Sequence, residues 1–156
     1  MHVVVETPRG ARAKLTFDPE LKTFVLSKAL MLGLSYPYDW GFIPSTRAED
    51  GDPLDVMVIH DAATTPGLVL RCKIIGVLQS IQKTKRKRIR NDRVIAVPKD
   101  SHRERELQGV EDLPPEIKEE LEKFFVAKTL KFLGWQGPAQ AKKLVRRCER
   151  IFKKKN

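Results

Sequence analysis

The spacing of apolar residues is what constrains this chain most. Over the first hundred residues the apolar runs are short and strand-like, and helical spacing appears only in the last third. Residues 13–17 show the pattern plainly. Ala13, Leu15 and Phe17 alternate with Lys14 and Thr16, which puts the first three on one face of a strand. Further runs rich in apolar and β-branched residues occupy 3–6, 36–43, 54–59, 69–78 and 94–97, separated by polar clusters and by the turn signal Pro66-Gly67. Many short strands predict a sandwich or small barrel. After Leu113-Pro114-Pro115 the period changes. Ile117, Leu121, Phe124 and Phe125 share one face of a helix whose first turns carry Glu116, Glu119 and Glu120, where the helix dipole favours acids. A second helix is expected over about 138–152, its stripe Ala141, Leu144, Val145, Cys148, Ile151 and Phe152 bordered by Lys142, Lys143, Arg146, Arg147 and Arg150. The architecture expected is therefore mainly β, with two C-terminal packing helices.

Length and charge narrow the class. A chain of 156 residues, at roughly 100–200 residues per domain, predicts one domain over 1–156. Thirty Lys+Arg against 20 Asp+Glu give a formal net charge of +10, and 41 % hydrophobic residues exclude a disordered chain. That excess of cations predicts anionic ligands. Cys72 and Cys148 lie far apart with no Cys-x-x-Cys or Cys/His spacing. Neither a zinc site nor a disulfide framework is expected, and both read as small buried apolar groups in a reducing, cytoplasmic setting. The opening MHVVVETPRG has too short an apolar stretch for a secretory signal, and no run approaches the roughly 18 apolar residues of a membrane span, so no membrane partner is expected. His2, His60 and His102 are scattered and receive no role.

Chemistry concentrates in Asp50-Gly51-Asp52-Pro53-Leu54-Asp55-Val56, where three carboxylates fall within six positions ahead of an apolar run. Crowded like charges raise one another's pKa, and a hard divalent cation such as Mg²⁺ relieves them by taking carboxylate oxygens while keeping water and phosphate ligands. The alternative is a solvated acidic turn, since Asp-Gly is a common turn dipeptide. Spacing alone leaves both open.

The whole string carries more information. DGDPLDV resembles the Asp-x-Asp-Pro-apolar-Asp-apolar signature of the soluble inorganic pyrophosphatases at every position. Other family landmarks follow in order: Val5-Glu6-Thr7-Pro8, Lys14, Tyr36-Pro37-Tyr38-Asp39-Trp40-Gly41-Phe42-Ile43, Pro66-Gly67, Gly76-Val77-Leu78, Ala96-Val97-Pro98, Asp112-Leu113-Pro114, Phe124-Phe125 and Gly134-Trp135. The resemblance spans nearly the whole chain. It implies a five-stranded OB-like β-barrel with two packing helices, and Mg²⁺-dependent hydrolysis of pyrophosphate to two phosphates. It also implies roles: Asp50 and Asp55 as metal ligands, Glu6 as a ligand through water, and Asp52 as the general base that takes a proton from the attacking water. Lys14, Lys28, Tyr36 and Arg93 match substrate-binding positions, Lys28 standing where the family usually has Arg and so lacking the bidentate fork. By the same resemblance the protein is a homo-oligomer, commonly a hexamer in bacterial members.

Departures from the pattern define a second expectation. The family's Glu two residues beyond the lysine matched by Lys14 is Thr16. Its two further metal-binding aspartates align with Gln82 and Asn91, the lysine after them with Arg93, and a tyrosine with Trp40. A Tyr-Lys pair that follows the double phenylalanine is missing, with Lys128 and Thr129 nearest. Asp92 could supply a substitute metal ligand or pair with Arg90 or Arg93. Residues 83–93 hold seven cations in eleven positions, either a solvated hairpin or a polyanion-binding loop. The alternative function is thus a weakened pyrophosphatase-like module that binds nucleic acid or another polyanion.

Overall fold

A computed structural model describes residues 1–83, 85, 87–127 and 130–155. The strands are β1 (His2–Thr7), β2 (Ala13–Asp18), β3 (Thr23–Ala29), β4 (Asp39–Ile43), β5 (Leu54–Val58), β6 (Val69–Lys83), β7 (Arg88–Arg90), β8 (Arg93–Pro98) and β9 (Leu130–Gln136). The helices are α1 (Pro115–Ala127) and α2 (Pro138–Lys155). Five strands close a ring in the order β1, β4, β5, β8, β6 and back to β1, antiparallel except for β5 against β8. These are the five strands and two helices expected. Among the described residues no helix is long and apolar enough to cross a membrane.

Close approach of β1 and β4 dictates one residue. A Cβ on Gly41 would run into the carbonyl oxygen of Val4 across the ladder, so only glycine fits there. The long strand β6 serves the ring with its first half and then outruns it. From Val77 onward it pairs with β9 on the edge that β1 has left, and beyond Leu78 with β7 on the edge that β8 has left.

The two faces of the ring feed two apolar clusters. Trp40, Met57, Ile75, Leu78 and Ile95 pack against Leu121, Phe124 and Phe125 of α1. Val3, Val56, Val58, Cys72, Val94 and Ala96 pack against Val145 and Cys148 of α2. Burial pushes the Cys72 thiol up to about 12 and the Cys148 thiol to about 11, so both stay protonated and inert near neutral pH.

Three expectations change. Residues 36–38 are not strand, because the Tyr36 amide is taken by the Ala11 carbonyl and its own carbonyl by Gly10. Strands β3 and β9 were not expected from periodicity. In β3, Leu26 stays exposed and the alternation breaks at a register shift, while β9 exists by pairing with the overhang of β6. The basic run is partly strand: β6 continues to Lys83 and β7 covers Arg88–Arg90. Thr84 and Arg86 within that run, and Lys128 and Thr129, lie outside the described residues.

Candidate active site

The acidic stretch is a loop that the fold holds closed from both ends. Buried Thr46 donates its hydroxyl to the Ile43 carbonyl (2.6 Å) at the end of β4 and accepts the Leu54 amide (2.9 Å) at the start of β5. Within the loop, Gly51 takes a left-handed φ of +96°, Ala48 N–H donates to the Asp52 carbonyl, and Asp50 Oδ1 accepts the Asp52 amide at 3.2 Å. Asp50 and Asp52 are exposed. Asp55 lies in β5, on the face that also carries Met57, and is half-buried.

Glu6 reaches the same region from β1. Its Oε1 accepts the Phe17 amide of β2 at 2.8 Å, and neighbouring Thr7 both donates to and accepts from the Leu15 backbone. Side chains therefore stitch β1 to the β2–β3 hairpin. Burial, then the nearby charges of Asp55 and Asp52, raise the Glu6 carboxyl above its usual range against the lowering effects of the Phe17 amide and Lys14. Glu6, Lys14, Asp52 and Asp55 thus form one electrostatic neighbourhood.

Lys14 and Lys28 are register partners across β2 and β3. Residues directly opposite in an antiparallel pair point to the same face, and like charges there are destabilising unless an anion lies between them. Tyr36 is fully buried, 5.7 Å from the Trp40 ring and 5.0 Å from Phe124, with its hydroxyl against the Thr7 side chain. Burial and the Asp55 charge raise its phenol well above the ordinary value, so it remains a hydrogen-bond donor.

Arg93 is placed differently from an open substrate-binding cation. Its side chain is 6 % exposed, Nε stands 3.1 Å from Asp55 Oδ2 without the alignment of a hydrogen bond, and the guanidinium carbon lies 4.9 Å from the Trp40 ring centroid. Nη1 donates to the Asn91 carbonyl at 2.7 Å and to the Asn91 side-chain oxygen. Asn91 Nδ2 in turn donates to Gln82 Oε1 at 2.6 Å. Two neutral amides and a buried guanidinium therefore make a continuous network ending on Asp55. Asp92 has other partners: it accepts the Ser80 amide (3.1 Å) and Arg90 Nε (2.6 Å), and with Asn91 it lines a cavity against Leu144 and Cys148 of α2. The pair with Arg90, one of its two expected roles, is formed.

Sequence reasoning missed the Arg93–Trp40 stack and the Asn91–Gln82 bond, which need β4, β6 and β8 brought side by side. It also missed His60, which is buried with Nε2 2.7 Å from Asp39 Oδ2, while Thr64 and the Arg9 amide bond the same carboxylate. That cluster ties the β1–β2 connection to β4 and β5. Only the identity of the residues could have hinted at it.

Whether the site suits a divalent cation turns on its donor set. Glu6, Asp52 and Asp55 offer hard oxygens of the kind a Mg²⁺-type ion takes, and the Glu6 carboxyl is raised first by burial and then by the charges of Asp55 and Asp52. Among the described residues, however, no three His, Cys, Asp or Glu side chains are gathered to hold an ion by themselves. Arg93 already offsets part of the Asp55 charge.

Comparison with known proteins bears directly on this arrangement. The family model described as inorganic pyrophosphatase matches residues 3–153. Relatives named inorganic pyrophosphatase include one from Nostoc sp., 35 % identical over 159 aligned residues covering 98 % of this chain and 92 % of its own. Another, from Thermus thermophilus, is 34 % identical over 98 % of this chain and 90 % of its own. A crystal structure of the Thermus thermophilus enzyme superposes with a TM-score of 0.90 at 35 % identity, covering 98 % of this chain and 91 % of that one. An inorganic pyrophosphatase from Coxiella burnetii gives a TM-score of 0.90 at 28 % identity, over 97 % and 94 % of the two chains. A family match over residues 3–153, relatives about 35 % identical along almost the whole chain, and the same path of the backbone through ring and helices mean that this chain belongs to the inorganic pyrophosphatase family.

Proposed function

We propose that this protein hydrolyses inorganic pyrophosphate to two phosphates, with Mg²⁺ as its divalent cation. Of the two readings raised by the sequence, hydrolysis is the one its relatives support. The single observation that carries it beyond family membership is the juxtaposition of charges. A like-charged pair, Lys14 opposite Lys28, adjoins the carboxylates Glu6, Asp52 and Asp55. A diphosphate chelated by a divalent cation satisfies both halves, because its oxygens face the lysines and its metal faces the acids.

As the family resemblance implies, Asp50 and Asp55 would hold the metal directly and Glu6 through water, and the metal bound there would supply Lewis-acid activation and screen the substrate's negative charge. Asp52, exposed on the loop, accepts the proton of the attacking water as its oxygen bonds to phosphorus. The bridging P–O bond breaks, and charge developing on the departing phosphate is met by Lys14 and Lys28. Tyr36 donates from its protonated phenol. Arg93, expected to bind substrate, holds Asn91 through Nη1 and lies beside Asp55, so part of its role is to orient Asp55. The direct test is phosphate release from pyrophosphate with and without Mg²⁺. Release that requires Mg²⁺ is expected, and no release at millimolar Mg²⁺, on the order used by a site of reduced ligand charge, would sink the proposal.

We further propose a homo-oligomer, a hexamer by family resemblance. Leu26, Met31 and Leu32 on and after β3 are at least two-thirds exposed, and they are the apolar side chains that such an assembly would cover. Sedimentation of the purified protein at micromolar concentration reads the mass, and a monomer would reject the assembly.

A further inference from the structure

The proposed reaction leaves the strongest charge feature of the molecule unused. Helix α2 carries eight Lys or Arg and one acid, Glu149, in 18 residues. Its buried stripe, Ala141, Val145 and Cys148, fixes the orientation, so Lys143, Arg146, Arg150 and Lys153 are held outward, where with Glu149 they line an open depression of about 500 Å³. The cationic β6–β7 hairpin is far away in sequence but adjacent in space. Arg90 of β7 and Arg147 of α2 line one cavity of about 330 Å³. Two runs separated by some fifty residues therefore meet at this cavity, whose lining also holds Glu49 and Asp92.

Most of that charge is uncompensated. Arg147 is paired with Glu49 and Arg90 with Asp92, but among the described residues Lys83, Arg88, Lys143, Arg146, Arg150 and Lys153 have no ion-pair partner. Like charges fixed side by side repel, a standing cost that a polyanion would remove. The surface also lacks what other anionic partners need. The large apolar side chains exposed elsewhere include none from α2 or β7. Among the described residues of α2 and β7, the aromatic Phe152 is only half-exposed and no large apolar side chain is fully exposed, which gives stacked bases or a lipid surface little to hold. What is left suits a ligand read through its phosphates alone. An 18-residue helix is about 27 Å long, close to one turn of a duplex, and its cations recur every three or four residues on one side.

We propose that α2 and the β6–β7 hairpin bind the phosphate backbone of double-stranded nucleic acid, without sequence preference, alongside the hydrolytic site. The test is fluorescence anisotropy of a labelled 20-base-pair DNA duplex titrated with the full-length protein over a salt series. At roughly 0.9 per neutralised phosphate, four to six contacts predict a log–log salt slope of about −4 to −5. The variant Lys143→Gln/Arg146→Gln/Arg150→Gln/Lys153→Gln keeps good helix formers in place and should flatten that slope by up to about 3.6 and weaken binding at low salt at least tenfold. Lys83→Gln/Arg88→Gln on the hairpin should flatten it by about 2. Phosphate release and thermal midpoint should stay as in the parent, which separates loss of the surface from loss of fold or of the hydrolytic site. Absence of duplex binding at 50 mM salt, taken as the low end at which such contacts are strong, or a slope unchanged in both variants, overturns the proposal. So does tighter binding of the same oligonucleotide as a single strand, or retention by phosphatidylserine vesicles without duplex binding.

Discussion

Asp52→Asn lowers phosphate release from pyrophosphate by about 100-fold or more, because an amide cannot accept the proton of the attacking water and general-base contributions run to about 10²–10⁴. The loop should survive the change. Asp52 is held by its backbone, with its amide on Asp50 Oδ1 and its carbonyl on Ala48 N–H, and its exposed side chain packs against nothing that Asn would disturb. The thermal midpoint should therefore match the parent, and calorimetric Mg²⁺ affinity should fall only modestly. Asp55→Asn behaves differently. It removes a ligand charge and also leaves the buried Arg93 without its carboxylate, so both metal affinity and stability should drop. Equal turnover in Asp52→Asn would move the base elsewhere.

Gln82→Asp combined with Asn91→Asp shifts the Mg²⁺ dependence of phosphate release to lower concentration, by about tenfold or more for two added ligand charges. In the parent, these side chains share a hydrogen bond at 2.6 Å, and Asn91 also accepts from Arg93. Two carboxylates in their place cannot share that bond while both are ionised, so a cation becomes the favoured way to satisfy them. Without Mg²⁺ the double variant should be less stable than the parent, and Mg²⁺ should restore it, a linkage that thermal unfolding reads without any turnover. Asp92→Asn, by contrast, should leave the Mg²⁺ dependence alone, because Asp92 is engaged by Ser80 and Arg90 on the α2 face. If the double variant titrates as the parent does, residues 82 and 91 do not face the metal.

The contrast between Asn91 and Asp92 shows where reading residues in a row stops. Both line the cavity against Cys148, yet their bonds differ: Asn91 joins Gln82 and Arg93, whereas Asp92 joins Ser80 and Arg90. A one-residue shift of alignment looks harmless in sequence but gives a carboxylate a different set of partners. Lys14 and Lys28 make the complementary case. Each is an ordinary lysine in sequence, and only the register of β2 on β3 makes them a pair facing one anion.

Local chemistry was legible from the sequence alone. The alternation at Ala13, Leu15 and Phe17, the helical stripes of α1 and α2, and the density of carboxylates from Asp50 to Asp55 are set by neighbours within a few residues. They determined the class of fold, the helix ends to within a turn, and the place of the acidic loop. Tertiary structure decided what each charge meets. Strand β9 forms only because β6 overruns the ring, and Arg93 is a buried cation only because Trp40 and Asp55 arrive from β4 and β5. Arg90 of the hairpin and Arg147 of α2 share a cavity only because the fold brings distant segments together. Hydrophobic periodicity acts through the nearest few residues, whereas the electrostatic character of a side chain depends on whatever the fold puts within a few ångströms of it.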